Sequence, residues 1–172
     1  MEEIELTFLA KSIPENLESS NSKEIIDIYI PKSKAHPKIR IRKDGNKYKI
    51  TKKQPINDGD ASHHMEHTIP LTEEEFTEIS KLEGKKVRKI RYNYQHNNLI
   101  AEIDVFQDEL KGLIVIDFEF NSLEEKENFQ TPDFCLADIT QEDFIAGGMI
   151  CGKSYQDIED HLEKYGYEKL IV

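Results

Sequence analysis

Apolar and polar residues alternate in short segments through most of the first 120 residues of the chain. Successive side chains of a strand point to opposite faces, so this alternation is typical of strands with one buried face. Gly45 and the pair Asn97-Asn98 mark tight turns between neighbouring segments. The predicted strands cover about residues 2–10, 25–31, 38–43, 47–53, 64–70, 87–95, 99–106 and 113–120. Eight strands joined mostly by short turns predict a closed antiparallel barrel.

Apolar residues at helical spacing predict three helices beside the barrel. Each helix begins at a residue whose hydroxyl can cap the first turn. These caps are Thr72, which can form a capping box with Glu75, and Ser122 and Ser154. The second helix is predicted to run to Phe129, and an additional C-terminal helix to cover about residues 154–166. The predicted fold class is α+β, a closed eight-stranded antiparallel β-barrel that forms a tunnel, with flanking helices.

Composition narrows the class of protein. A chain of 172 residues, 37% of them hydrophobic and 33% charged, fits one domain with a substantial core. The net charge of −11 argues against a stable nucleic-acid partner, because such proteins bind phosphates with excess cations. Cys135 and Cys151 are too few for a disulfide framework or a zinc site.

The sequence has no signal-peptide pattern and no apolar run of about 18 residues, so we expect a cytoplasmic protein without a membrane partner. The sequence predicts no particular oligomeric state.

Several predicted strands carry two like charges on one face, because residues i and i+2 of a strand point the same way. Like charges held side by side repel each other, which favours a counter-charge or a ligand between them. The acidic sets are Glu3 with Glu5, Glu102 with Asp104, and Asp117 with Glu119; the basic sets are Arg40 with Arg42, Lys49 with Lys53, and Lys89 with Arg91.

The two kinds of set suggest two kinds of ligand. Carboxylate oxygens suit Mg²⁺, Mn²⁺ or Ca²⁺, and the guanidinium fork of arginine matches phosphate oxygens. For any one pair the alternative is a solvated strand face. Taken together, the sets favour a tunnel that holds a metal–polyphosphate complex, since phosphoryl transfer requires both a metal and cations around the phosphates.

The charged segments, in this order, resemble the CYTH superfamily, the triphosphate tunnel metalloenzymes. The first-strand motif of the family, Glu-x-Glu-x-Lys, reads Glu3-Ile4-Glu5-Leu6-Thr7 in this chain. The resemblance covers about residues 1–145 and is carried further by residues 39–42, 48–53, 87–92, 102–106 and 117–120. We expect residues 1–172 to form a single CYTH-like domain.

The resemblance implies hydrolysis of a triphosphate inside the tunnel with Mg²⁺ or Mn²⁺. The metal ligands that it implies are Glu3, Glu5, Asp117 and Glu119. The phosphate-binding cations that it implies are Arg40, Arg42, Lys53, Lys89 and Arg91. Lys53, paired with Tyr29, is implied at the reacting phosphate. Smaller members of the family favour inorganic tripolyphosphate, whereas others cleave thiamine triphosphate or RNA 5′-triphosphate, or cyclise ATP.

Thr7 departs from the family motif, because it stands where the motif has a lysine. Lys11 shares the parity of Thr7 but lies roughly 13 Å further along an extended strand, which makes it a poor substitute. The departure keeps a second hypothesis open, a non-catalytic module that binds polyphosphate or a nucleotide. A third hypothesis is a class IV-type adenylate cyclase.

Two further motifs are interpreted structurally. Residues 147–154 fit the P-loop pattern Gly-x₄-Gly-Lys-Ser, but the preceding residues do not resemble the buried strand that a P-loop needs. We interpret them as a turn in which Ser154 caps the last helix, or as a turn over one mouth of the tunnel. Residues 63–67, His-His-Met-Glu-His, place their histidines on both faces of a strand, so we expect an exposed strand start rather than a metal site.

Overall fold

The computed structural model describes residues 1–57 and 59–172, and within these residues nine strands form one antiparallel sheet. The strands are β1 (Glu2–Ala10), β2 (Asn21–Ile30), β3 (Ile39–Asp44), β4 (Lys47–Pro55), β5 (His63–Leu71), β6 (Lys85–His96), β7 (Leu99–Phe106), β8 (Ile114–Phe120) and β9 (Cys135–Asp138). Their order is β5-β4-β3-β2-β6-β7-β8-β1-β9, and a further pairing of β5 with β1 closes the barrel. The predicted eight-stranded barrel is confirmed.

Strand β1 closes the barrel by changing partners along one of its edges. Glu2–Ile4 pair with β5, whereas Phe8–Ala10 pair with β9. The opposite edge pairs with β8 from Ile4 to Leu9. The short strand β9 was not predicted, because four residues are too few to show an alternating pattern, and it forms where β1 has left β5.

Four short helices accompany the barrel in the part of the chain that the structure describes. They are α1 (Glu73–Ile79), α2 (Leu123–Glu127), α3 (Gly147–Ile150) and α4 (Glu159–Glu163), with 3₁₀ turns at Leu17–Ser19, Asp108–Leu110 and Asp143–Ile145. The capping box of Thr72 and Glu75 is confirmed, and Ser122 caps α2, which ends before Phe129. None of the helices in the described residues is long and apolar enough to cross a membrane.

The predicted C-terminal helix at residues 154–166 is wrong in its extent, since α4 begins at Glu159. The Asp157 carboxylate accepts hydrogen bonds from both the backbone N–H and the hydroxyl of Ser154. The backbone N–H of Tyr155 donates to the Glu109 carbonyl at 2.7 Å. These contacts hold residues 154–157 in a turn, so Ser154 caps no helix.

Apolar side chains fill one end of the barrel interior. Val87, Phe106 and Val115 share strand faces with the inward-pointing charges, but they belong to a buried core with residues of the C-terminal segment. That core includes Ile139 and Ile150. A second core, around Phe8 and Phe118, packs on the outside of β1, β7 and β8. The interior is therefore apolar at one end and charged elsewhere.

Candidate active site in the barrel interior

A cavity of about 1110 Å³ occupies the charged part of the barrel interior. All eight strands of the barrel contribute to its lining, because every second side chain points inward. The cavity brings together every residue that was predicted to bind metal or phosphate or to act in catalysis. These residues are Glu3, Glu5, Tyr29, Arg40, Arg42, Lys53, Lys89, Arg91, Asp117 and Glu119.

Most carboxylates of the cavity lie on three adjacent strands, β7, β8 and β1. We call these carboxylates the acidic wall. Its members are Glu3, Glu5, Glu102, Asp104, Asp117 and Glu119. In the sheet register Glu5 lies opposite Glu119, and Glu102 lies opposite Asp117. The acidic wall therefore concentrates like charge that the local sequence pattern showed only as separate pairs.

This concentration raises the pKa values of three carboxyls. Burial raises the pKa of Glu5 to about 7, and the charges of Glu3 and Asp117 add to this effect although Lys53 opposes it. Burial also raises the pKa of Asp117, with a further contribution from Asp104. The pKa of Glu119 rises for the same reasons, burial first and then the charge of Glu102. Glu5, with a pKa of about 7, is only partly ionised at neutral pH.

Lys53 is the counter-ion of Glu3 and Glu5. Its ammonium lies 2.5 Å from Glu3 Oε2 and 2.5 Å from Glu5 Oε1. Burial disfavours the charged lysine, but Glu5 and Glu3 outweigh it and raise the pKa of Lys53. Lys53 is thus a counter-ion shared between two predicted metal ligands.

Tyr29, the predicted partner of Lys53, has different surroundings. A Cβ atom on Gly147 would come within 2.1 Å of the Tyr29 hydroxyl, so the phenol lies directly against the backbone of α3. Burial raises the pKa of Tyr29, and its most influential charged neighbours are Arg40 and Asp27. Both members of the predicted catalytic pair therefore line the cavity, but Lys53 contacts Glu3 and Glu5 whereas Tyr29 lies against Gly147 and near Arg40.

Arg42 and Arg40 share one buried carboxylate, Asp27, which sequence reasoning missed. Arg42 donates to Asp27 through two nitrogens, at 2.6 Å and 2.8 Å. The Arg40 Nε atom lies 3.8 Å from Asp27 and has no hydrogen-bond partner although it is buried. The arginines hold the pKa of Asp27 well below its usual range despite complete burial. A polar residue among isoleucines, in the sequence Ile25-Ile26-Asp27-Ile28, was the available signal.

The other two predicted cations, Lys89 and Arg91, converge on Asp104 of the acidic wall. Arg91 donates to both carboxylate oxygens of Asp104, at 2.7 Å and 2.6 Å, and Lys89 donates to one of them. Arg91 also donates to Glu102 and, at 3.4 Å, to Asp117. Although burial opposes ionisation, the two cations lower the pKa of Asp104 to about 2. Lys89 and Arg91 are therefore bound to carboxylates in this state of the protein.

The expectation of an exposed strand start at residues 63–67 is wrong for His63 and His64, whose side chains are only 13% and 14% exposed. The His64 Nδ1 atom lies 3.9 Å from Glu5 Oε1 without a hydrogen-bond partner in the described residues. Burial, followed by the charge of Lys53, lowers the pKa of His64 to about 4, so the imidazole is neutral at pH 7. The predicted division between faces is correct, since His63 contacts Glu2 whereas His64 lines the cavity.

Glu3, Glu5 and His64 form a cluster in which one ligand atom from each residue lies within 4.8 Å of the others. This arrangement depends on barrel closure, because Glu3 of β1 lies opposite His64 of β5. Asp117 and Glu119 lie on the neighbouring strand, where Asp117 accepts a hydrogen bond from the Thr7 hydroxyl at 2.8 Å. A neutral threonine thus satisfies one oxygen of Asp117 at the position where the family motif has a lysine.

Residues 147–154 do not form a phosphate-binding loop. Gly147–Ile150 form helix α3, and the backbone N–H groups of Gly152 and Ser154 donate to Lys86 and Asp157. Gly147 and Gly148 line the cavity, and a Cβ on Gly148 would come within 2.5 Å of the Pro37 carbonyl. The interpretation that this segment lies over one mouth of the tunnel is confirmed.

Comparison with known proteins supports the same architecture. The sequence model of the CYTH domain family matches residues 1–134. The inorganic triphosphatase NE1496 is 21% identical, with a TM-score of 0.63 over 88% of this chain and 95% of that chain. A putative adenylate cyclase (bh2851) from Bacillus halodurans is 14% identical, with a TM-score of 0.55 over 99% of this chain and 92% of that chain. The PH1012 protein from Pyrococcus horikoshii OT3 is 19% identical, with a TM-score of 0.52 over 96% and 91%. No curated protein matches the sequence. At these identities the solved structures show a shared fold.

Proposed function

The chain belongs to the CYTH domain family, and on that premise we propose that it is a metal-dependent triphosphatase acting on inorganic tripolyphosphate or a small organic triphosphate. The observation that carries the proposal is the distribution of charge in the cavity. Carboxylates that lack sufficient counter-charge line one side, and buried cations, including Arg40 with an unpartnered donor, line the other. Such a cavity suits a ligand that is itself a divalent cation bound to a polyanion.

We assign the divalent ion to Glu3 and Glu5, with Asp117 and Glu119 as further oxygen donors. The donor set fits Mg²⁺ or Mn²⁺, because both accept carboxylate oxygens. When bound, the ion supplies positive charge to phosphoryl oxygens and acidifies water. The convergence of the two glutamates supports this assignment, since Glu3 Oε2 and Glu5 Oε1 each lie 2.5 Å from the Lys53 ammonium.

Arg40, Arg42, Lys89 and Arg91 are the proposed phosphate-binding cations, and Arg40 is the best placed of them. Its Nε donor is buried and unpartnered, so an anion that binds there displaces no protein group. Lys89 and Arg91 have to share their donors between Asp104 and the incoming phosphate. Lys53 and Tyr29 remain the proposed catalytic pair, with Lys53 at the transferred phosphoryl group and Tyr29 at the closed end beside α3.

The C-terminal segment beyond the family match belongs to the same proposed domain of residues 1–172. Ile139, Phe144 and Ile150 share a core with barrel residues, and the segment lines one end of the cavity. With that end blocked by apolar side chains, a charged substrate enters from the opposite end. Excluding water from one end strengthens the electrostatic interactions inside.

The direct test measures orthophosphate release from tripolyphosphate with Mg²⁺, with Mn²⁺ and with a chelator, beside ATP and thiamine triphosphate. We expect release that depends on metal and falls at least about 100-fold in Glu5→Gln, because loss of outer-shell partners of a metal alone costs 10–100-fold. Glu124→Gln is the matched control, since this exposed glutamate lies on α2 outside the cavity. Unchanged release in Glu5→Gln would refute the metal assignment.

Thr7 favours a second candidate function, a module that binds polyphosphate or a nucleotide without cleaving it. Its hydroxyl donates to Asp117, so this position adds no cation to the site. Metal-assisted binding of tripolyphosphate without phosphate release, together with release gained by Thr7→Lys, would support this candidate. Pyrophosphate and cyclic AMP as the products of ATP would instead indicate a cyclase.

A further inference from the structure

We propose that His64 is a ligand of the same metal site as Glu3 and Glu5, and that its imidazole makes the site prefer Mn²⁺ over Mg²⁺. The inference rests on the metal site of the proposed function but not on the identity of the substrate. It adds a nitrogen donor to a site that the sequence predicted from carboxylates alone.

The position of His64 follows from barrel closure. Strand β5 is paired with β1 so that His64 lies opposite Glu3, and the histidine points into the cavity beside Glu5. One ligand atom from each of the three residues lies within 4.8 Å of the others. Donors that converge on one point from two paired strands can hold a single ion between them.

One nitrogen of the His64 imidazole has no partner among the described residues. Its Nδ1 atom is buried without a hydrogen bond, whereas buried polar atoms in proteins are nearly always paired. Glu3 Oε2, in the same cluster, is also buried, and it lies 2.5 Å from the ammonium that Glu3 shares with Glu5. An imidazole nitrogen without a partner, beside two carboxylates that share a single ammonium, points to a cation that all three groups could bind.

Lys53 shows that this gap attracts positive charge. In the structure its ammonium lies 2.5 Å from both Glu3 and Glu5, and it is the only lysine or arginine in ion-pair contact with them among the described residues. Its ammonium contacts the two carboxylates, and none of the hydrogen bonds in the described residues joins it to His64 Nδ1. A metal ion would satisfy all three groups.

The chemistry of the donors determines the preferred ion. Mg²⁺ prefers oxygen ligands, while imidazole nitrogen favours first-row transition ions, and the affinity of a nitrogen donor increases from Mn²⁺ along that row. A site with two carboxylates and one imidazole therefore retains Mg²⁺ through its oxygens and gains affinity for Mn²⁺ through the nitrogen. Removing the imidazole should affect the two ions differently.

The test uses the full chain, stripped of metal, with Mn²⁺ alone and Mg²⁺ alone as probes and no triphosphate present. Pulsed electron paramagnetic resonance of the Mn²⁺-loaded protein should show hyperfine coupling to one imidazole ¹⁴N nucleus. Calorimetric titration should show that His64→Asn weakens Mn²⁺ binding about tenfold or more, and Mg²⁺ binding much less. His63→Asn is the matched control, because His63 lies on the other face of the same strand beside Glu2.

Absence of ¹⁴N coupling in the Mn²⁺-loaded wild-type protein would overturn the inference. Equal weakening of Mn²⁺ and Mg²⁺ binding in His64→Asn would do the same, since it would indicate a structural role. The spectroscopic measurement needs no variant, so a folding defect in His64→Asn cannot mask the result. Coupling in a protein that cleaves no triphosphate would leave this inference standing and reject the proposed function.

Discussion

Two buried carboxylate centres share one cavity but differ in how they are neutralised. Asp104 accepts hydrogen bonds from Lys89 and Arg91, and its pKa falls to about 2. Glu5 shares the ammonium of Lys53 with Glu3, and burial raises its pKa to about 7. Burial raises the pKa of both groups, but two cations outweigh it at Asp104, whereas at Glu5 one cation is opposed by the charges of Glu3 and Asp117.

The difference separates two roles for buried acids. Asp104 is neutralised by two cations, so we call it the complete centre, and it positions the side chains of those cations. Glu3 and Glu5 share one cation, so we call them the incomplete centre. They gain from a further cation, which is the property that a metal site needs. We therefore use the degree of neutralisation, rather than burial or position on a strand, to propose which acids in this cavity bind an ion.

Replacing the complete centre should have the largest effect on stability. In Asp104→Asn the amide cannot neutralise Lys89 and Arg91, and we expect a loss of about 3–5 kcal/mol in the free energy of unfolding, as is typical when one partner of a buried ion pair is removed. Urea unfolding of wild type and variant measures the loss. The exposed Asp133→Asn serves as the control, and equal stability of Asp104→Asn and this control would show that the centre is not a saturated ion pair.

Replacing the shared counter-ion should move metal binding and catalysis in opposite directions. Lys53 and a divalent ion compete for Glu3 and Glu5, so Lys53→Met should bind Mn²⁺ more tightly than wild type by about tenfold, which corresponds to 1.4 kcal/mol. Phosphate release should fall in the same variant. Calorimetric titration and the phosphate assay check the two effects. Lys52→Met, on the outward face of the same strand, should change neither, and weaker Mn²⁺ binding in Lys53→Met would contradict competition.

Replacing a carboxylate of the incomplete centre should cost little stability. Because the pKa of Glu5 is about 7, the group is partly protonated at neutral pH, and the neutral glutamine resembles the protonated form. We expect Glu5→Gln to change the free energy of unfolding in the metal-free protein by about 1 kcal/mol or less. Urea unfolding in chelator checks this, and a loss as large as that of Asp104→Asn would remove the distinction between the two centres.

The pH dependence of the two centres should have opposite signs. Below its ordinary pKa of 3.8, Asp104 stays ionised in the folded protein down to about pH 2, so its contribution to stability is present above pH 3.8 and is lost as the pH falls towards 2. Glu5 binds its proton more tightly when folded, so its contribution favours folding as the pH falls from about 7 to 4.5. Carboxyl ¹³C chemical shifts of the metal-free protein measure both titrations, and similar midpoints for Glu5 and Asp104 would contradict the comparison.

The features that were predicted correctly from the sequence are those that depend on local spacing. Alternation placed the strands, and the i, i+2 rule placed Arg40 with Arg42 and Glu3 with Glu5 on common faces, as the lining of the cavity bears out. The capping box at Thr72 also formed as predicted, because it requires only four consecutive residues.

What the sequence did not reveal depends on which strands become neighbours. Asp27 neutralises Arg42 because β2 pairs with β3, and His64 joins Glu3 because β5 closes the barrel on β1. The local signals were a polar residue among isoleucines for Asp27 and a group of histidines for His64, and neither identifies the partner strand. The turn at Ser154 failed as a helix cap for a related reason, since a distant carbonyl, that of Glu109, binds the next backbone N–H.

Titration of metal-stripped protein with Mn²⁺, followed by calorimetry in wild type, Glu5→Gln and the matched Glu124→Gln, tests most directly whether the incomplete centre binds the ion. We expect saturable binding in wild type and Glu124→Gln, and its loss in Glu5→Gln with the fold retained. Binding in Glu5→Gln as tight as in wild type would show that the ion lies elsewhere and that the raised pKa of Glu5 has no connection with metal.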